Sequence, residues 1–179
     1  MQDFELIRET ITVLKAGLAA RSLNDALIQQ AFQPTQQGTP TPPSIQIYKL
    51  NDDLIGHPKI KDVWDRDQEI MVHTESQWMA GTFQLSTLKI SDPKMTSQIN
   101  AFDLASICVQ ILNGEKGRLA LKAKGIGIDR ISQIRNPFFK DDRERFEAQP
   151  SFDFTLTHEQ VIILASPVVE TTEFNIKRV

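Results

Sequence analysis

The sequence predicts an α+β domain: a mixed or antiparallel β-sheet packed against an N-terminal helix and a central helix, with long loops. Three patterns carry this prediction. Phe4, Ile7, Ile11, Leu14 and Leu18 step by three and four residues, the period of one helix face. From residue 44 the period becomes two, with Ile45 and Ile47 alternating with Gln46 and Tyr48. Ile99, Phe102, Val109 and Leu112 return to helical spacing between two stretches of strand-like text.

Taken in order, the first twenty residues form an amphipathic helix whose stripe lies on the protein's own sheet. Ser22-Leu23-Asn24-Asp25 has the spacing of a capping box and predicts a short second helix, with Leu27, Ile28, Ala31 and Phe32 as its apolar side. Pro34, Gly38, Pro40, Pro42 and Pro43 make residues 33–43 a Pro-rich surface loop, with flanks too small to fold separately. A strand starts at Ser44, residues 51–62 read as turn, and further strands are expected over 63–75 and from Gln77 to Ile90. Phe83 and Leu85 share a face of the last of these; Trp78 and Met79 fit either a core or an interface. Asp92-Pro93 has the form of an N-cap and first-turn proline for the central helix, whose apolar arc Leu104, Cys108 and Ile111 widen. Gly114 suits its C-terminal cap, and a shorter helix from Glu115 to Lys124 ends at Gly125. The remaining strands are expected at Ile126–Ile134, at Ser151–Thr157 with Phe152, Phe154 and Leu156 alternating, and at Thr172–Val179. The continuous apolar run Val161–Leu164 fits a central strand, after a polar turn at Thr157-His158-Glu159-Gln160.

With 179 residues the chain is long enough for one core, read as a single domain over 1–179. The net charge of −3 gives no basic footprint for nucleic acid and no polybasic membrane patch. No apolar run approaches the ~18 residues of a membrane span. The acidic, amphipathic start MQDFELIRET is not read as a secretory signal.

The chemistry-bearing residues are few. Cys108 is the single cysteine, and His57, His73 and His158 share no metal-ligand spacing. Gly125-Ile126-Gly127-Ile128-Asp129 leads into a strand, whereas a phosphate loop must open a helix, and Arg130 replaces the third glycine. His158-Glu159 starts a zinc-protease motif, but Ile162 stands at the second histidine. Asp141-Asp142 could serve a divalent cation in a small hydrolase or nuclease. The mixed run Lys140-Asp141-Asp142-Arg143-Glu144-Arg145 instead reads as a solvated or interfacial charge cluster. No catalytic, metal or cofactor assignment survives, which leaves binding, scaffolding or assembly.

The most specific text is Arg135-Asn136-Pro137-Phe138-Phe139, followed by Asp141, Asp142, Arg143 and Arg145 and by the returning Pro150-Ser151-Phe152-Asp153-Phe154. Aromatics on a loop beside paired charges suit an interface, where rings exclude water and charges set register. The two phenylalanines equally suit a plug beneath the loop. This segment, together with Thr157–Gln160, the apolar strand and Thr172–Val179, resembles the neck or tail terminator family of tailed bacteriophages, called gateway proteins in contractile-tailed phages. The resemblance runs from the N-terminal helix to the final valine and is most specific over residues 126–179.

The resemblance implies a non-enzymatic virion protein without cofactor, assembled in the bacterial cytoplasm into a homo-oligomeric ring, commonly a hexamer. Such a ring caps the tail tube and joins the tail to the head connector, with genomic DNA passing non-specifically through its lumen. Its implied partners are the tail tube protein, a neck, head-completion or collar protein, and the sheath; no membrane is among them. Arg135, Asn136, Phe138, Phe139, Asp141, Asp142, Arg143 and Arg145 are the candidate interface residues, with loop 33–43 as a second contact region. The alternative within the same assembly is a head-completion or collar adaptor on the portal side.

Overall fold

A computed structural model describes residues 1–30, 42–89, 98–140 and 146–167. The N-terminal periodicity becomes helix α1, Asp3–Ala19, which buries Leu6, Ile7, Leu14 and Leu18. Thr10 is buried on the same face because its hydroxyl donates to the Leu6 carbonyl at 2.8 Å, leaving no unpaired polar group. Phe4 departs from the expected stripe and is 59% exposed. The buried arc runs from Leu6 through Thr10, Leu14 and Ile7 to Leu18, and Phe4 falls beyond its Leu18 edge.

The expected second helix is not formed. Ser22, at φ 60°, lies in the turn that ends α1, where the Leu23 amide returns to the Leu18 carbonyl. Leu27–Gln30 is strand β1, paired in parallel with β2, Ser44–Asp65. A parallel pair needs a crossover of about a dozen residues. The stretch 31–43 supplies that length; most of the Pro-rich loop, 33–41, lies outside the described residues.

Two further long strands, β3 (Ile70–Leu88) and β7 (Ser151–Pro167), complete the centre of the sheet, with a short strand β4 (Gly127–Ile131) at its edge. The order is β1-β2-β3-β7-β4. A separate two-stranded sheet joins β5 (Phe138–Lys140) to β6 (Phe146–Ala148).

Residues 51–62 correct the sequence reading most strongly, because they continue β2 instead of turning. Their turn formers are absorbed at a register shift between Ile55 and Lys59, where Gly56 takes φ 70°. The Gln77 side chain holds this irregularity by donating to the Ile55 carbonyl at 2.7 Å. Pro58 is tolerated because β1 pairs β2 only through Ile47, so beyond it the outer edge of β2 has no partner strand among the described residues. The actual reversal is Arg66–Glu69, where the Asp65 carboxylate accepts from the amides of Asp67 and Gln68.

The expected turn at Thr157–Gln160 is likewise continuous strand, since β7 pairs β3 from Ser151 to Pro167 without a shift. The expected strand at Thr172–Val179 lies outside the described residues.

Helix α2, Ala101–Asn113, starts later than Asp92-Pro93 suggests. Asn100 is its N-cap, in a reciprocal capping box with Asp103. Residues 90–97 lie outside the described residues. Leu104, Ala105, Cys108, Ile111 and Leu112 form its buried face, while Phe102 of the expected stripe is exposed. Gly114 caps α2 and opens α3, Glu115–Lys122, and the chain then reverses at Gly125, with φ 74°.

The three helices cover one face of the sheet's proximal half, and one buried cluster joins them to Ile45, Ile47, Phe83, Leu85, Phe152, Phe154 and Leu156. Phe154 stacks on Phe83 at 5.7 Å and meets Phe152 at 6.1 Å. The distal halves of β2, β3 and β7 run past this cluster. From residue 160 onward β7 extends as a three-stranded arm of about 25 Å.

Candidate functional site

The loop singled out by sequence is anchored at its base. Arg135 and Ser151 exchange both backbone hydrogen bonds at 2.8 Å. The Arg135 guanidinium donates to Asp153 Oδ1 at 2.6 Å, and Gln84 donates to the same oxygen at 2.8 Å. Tyr48 in turn hydrogen-bonds Gln84, so one polar row crosses β2, β3 and β7 on the sheet face away from the helices. Burial first, and then the Asp153 carboxylate, raise the Tyr48 pKa above its usual value, with Arg135 partly opposing them. Arg135 is thus held within its own chain by Asp153.

Asn136 is half-buried, and its Oδ1 has no hydrogen-bond partner among the described residues. Phe138 and Phe139 lie in β5, paired to Ala148 and Glu147 of β6. This pairing makes β5 and β6 a small two-stranded sheet apart from the main one. Asp141, Asp142, Arg143 and Arg145 lie outside the described residues.

The arm is a second surface, outside the interface residues that the sequence selects, although Trp78 on it fits either a core or an interface by sequence. Directly opposed residues of an antiparallel pair share a face. On the helix side the arm carries exposed Leu54 (72%), Ile60, Trp64, Met71, Ile162 and Leu164. The other side carries exposed Ile55, Val63, Trp78 (50%), Val161 and Ile163 (66%). The run Val161–Leu164, expected in a central buried strand, is therefore the exposed outer strand of the arm. Its partner β4 pairs β7 only between Phe154 and Thr157. A run apolar at every position signals two covered faces. In the isolated chain neither face of this segment is covered by the described residues.

Where the arm leaves the core, the start of α1 brings charges together. Lys49 pairs with Asp3 and Asp52, and the Met1 ammonium donates to the Glu159 carbonyl at 3.3 Å. Burial lowers the Lys49 pKa, but the hydrogen bonds with Asp3 and Asp52 outweigh it and the net shift is upward. His158 is buried beside this group, with Nδ1 lacking a hydrogen-bond partner among the described residues. Burial, then the Met1 ammonium, hold its pKa below the ordinary 6.5, with Asp52 and Asp3 opposing and Lys49 assisting.

The unfolded chain therefore binds this proton more readily than the folded one, and stability falls as pH drops through 6.5 towards the folded pKa. Thermal melts between about pH 7.5 and about pH 5.5 should show this loss, and His158→Leu should flatten it. An unchanged slope in the variant would assign the pH dependence elsewhere.

Cys108 is buried, and burial pushes its thiol up to about 12 despite the nearby Arg21, so it is an inert core residue. Among the described residues no group of three or more His, Cys, Asp or Glu is placed to hold a metal. No helix among them is long and apolar enough to cross a membrane.

A protein-family model described as the E217 gateway protein gp29 matches residues 5–168. No curated protein sequence matches the chain. Among solved structures, the chain is similar to the sheath/tube terminator of PVC, an extracellular contractile injection system, in its extended state. The TM-score is 0.49 at 11% identity, over 96% of this chain. The chain spans 63% of the length of that structure's chain.

Proposed function

Because the chain belongs to the family of the E217 gateway protein gp29, we propose that it forms a ring that caps the tail tube and joins it to the head connector. It is a structural component of a tailed-phage tail or neck assembly, not an enzyme. The observation that carries this reading is the family match over nearly the whole chain, residues 5–168. The charge balance supports it: a net charge of −3 lets DNA pass through a lumen without the strong phosphate attraction of a Lys/Arg-rich surface.

In this proposal the ring is a hexamer whose neighbours are the tail tube protein on one side and a neck or collar protein on the other. The segment 138–148 and its flanks supply contacts, with Phe138 and Phe139 as anchors and Asp141, Asp142, Arg143 and Arg145 setting register. Asn136 belongs to the same patch, and Arg135 positions its base through Asp153.

The test is the mass of the protein alone and on purified tail tubes. A ring of about six copies on the tube end is expected; a protein that stays monomeric on tubes overturns the reading. Replacing Asp142 and Arg143 together with alanine should weaken assembly without changing the melting temperature. Normal assembly of that variant would remove this segment from the interface.

A further inference from the structure

We propose that the arm is the seam between neighbouring copies of this chain: the open β7 edge of one protomer pairs in parallel with the open β2 edge of the next. The inference rests on the ring reading and specifies how the ring closes. Three observations carry it.

The first is the pair of edges. Beyond Ile47 on β2 and beyond Thr157 on β7, neither strand has an outer partner among the described residues. Unpaired edges of this length are templates for strand addition. Both edges belong to one three-stranded arm, and each is antiparallel to β3 between them. They therefore run in the same direction. One copy's β7 meets the next copy's β2 without inverting either protomer, a head-to-tail contact that pairs both arm edges once a ring closes.

The second is surface. The eleven exposed apolar residues, six on one face of the arm and five on the other, leave roughly 500 Å² of apolar side chain per face in solvent, at the upper end of the largest patch of an ordinary monomer, about 300–600 Å². Two faces of one thin arm cannot both pack on its own helices, which stop at the proximal half of the sheet. Edge pairing sets the apolar side chains of β7 beside those of the next copy's β2 on both faces, so their flanks are buried across each seam.

The third is charge. Lys59 and Lys61 on β2 project from the same face as Glu159 on β7, since each lies on the side of even-numbered β3 residues. Parallel pairing places these opposite charges on one face of the seam. Glu159 lies level with Trp78 and Lys59 with Ser76, so an offset of two residues, about 7 Å, between neighbouring arms brings the two charges opposite each other.

The test uses the full chain with Ile163→Lys and Leu164→Lys combined, which puts charge on both faces of the β7 edge. Leu119→Lys, on the exposed side of α3, is the control. Both variants should melt like the parent, because all three side chains are exposed. The arm variant should need more than about tenfold higher concentration to assemble, and the control should not.

Assembly of the arm variant at the parent's concentration overturns the seam while leaving the ring intact. Rings that form but no longer seat on tail tubes assign the arm to another protein and also overturn it. A parent that stays monomeric on tubes is the separate failure of the ring reading. Should the arm variant lose its fold, hydrogen exchange on the parent decides. The outward-facing amides of 51–65 and 158–167, those not bonded to β3, should slow on assembly; protection of these alternate amides already present in the monomer means the chain's own residues cover the edges, and the seam is wrong.

Discussion

Phe154→Ala is expected to lower the folding free energy by about 3–5 kcal/mol, enough to remove much of the stability of an ordinary domain. The side chain is 1% exposed and lies between Phe83 and Phe152 at ring distances of 5.7 and 6.1 Å. Its truncation removes both ring contacts and leaves a cavity under the helices, because rigid strands on either side cannot close it. Phe154 also sits where β7 pairs β3 and β4 together, opposite Phe83 and Ile131. Urea unfolding measures the effect. A loss below about 1 kcal/mol would mean that the stack is not the centre of the core. Because Phe83 is in direct contact, Phe83→Ala and the double variant should be non-additive.

Gly117→Ala is expected to destabilise by about 1–3 kcal/mol, although alanine is the better helix former by about 1 kcal/mol. Gly117 lies in the first turn of α3, against the last turn of α2. An added Cβ would stand 2.1 Å from the Ile111 carbonyl oxygen, a backbone atom that cannot move without shifting the helix. The same residue's side chain crowds Gly17, where a Cβ would meet Ile111 Cγ2 at 2.5 Å. Both glycines exist for the approach of α1 and α3 to one point on α2. Melting temperatures of the two alanine variants check this, and an unchanged value for Gly117→Ala would contradict the close approach.

Several features were legible because they depend on neighbours in sequence. The stripe Ile7-Leu14-Leu18, the alternation Ile45-Ile47 and Phe152-Phe154-Leu156, and the cap at Gly114 are all local patterns with one dominant solution. The resemblance to gateway proteins agrees with the family to which the chain belongs. It rests on residue identities, not on periodicity.

Other features depend on what lies across space. Ser22–Asp25 looks like a helix start, yet it ends α1, because Leu27–Gln30 gains more by pairing with β2 than by a short isolated helix. Gly56 and Pro58 look like a reversal, yet an outer edge without a strand partner among the described residues lets β2 carry both as a bulge. The apolar tetrad Val161–Leu164 looks buried, because covered faces and faces awaiting a partner give the same text. The arm was invisible for that reason, although alternating apolar residues around Leu54, Ile60 and Trp64 were its one available signal.

By itself the sequence determined that this is an α+β chain related to the gateway proteins. Those statements follow from composition, short-range periodicity and motif text. Only the tertiary structure decided that three strands outrun their helices, that Arg135 pairs with Asp153, and that neither arm edge has a partner strand among the described residues. Strand partnership joins residues as distant as Gly81 and Leu156, and its register is set by long-range packing that no local pattern encodes.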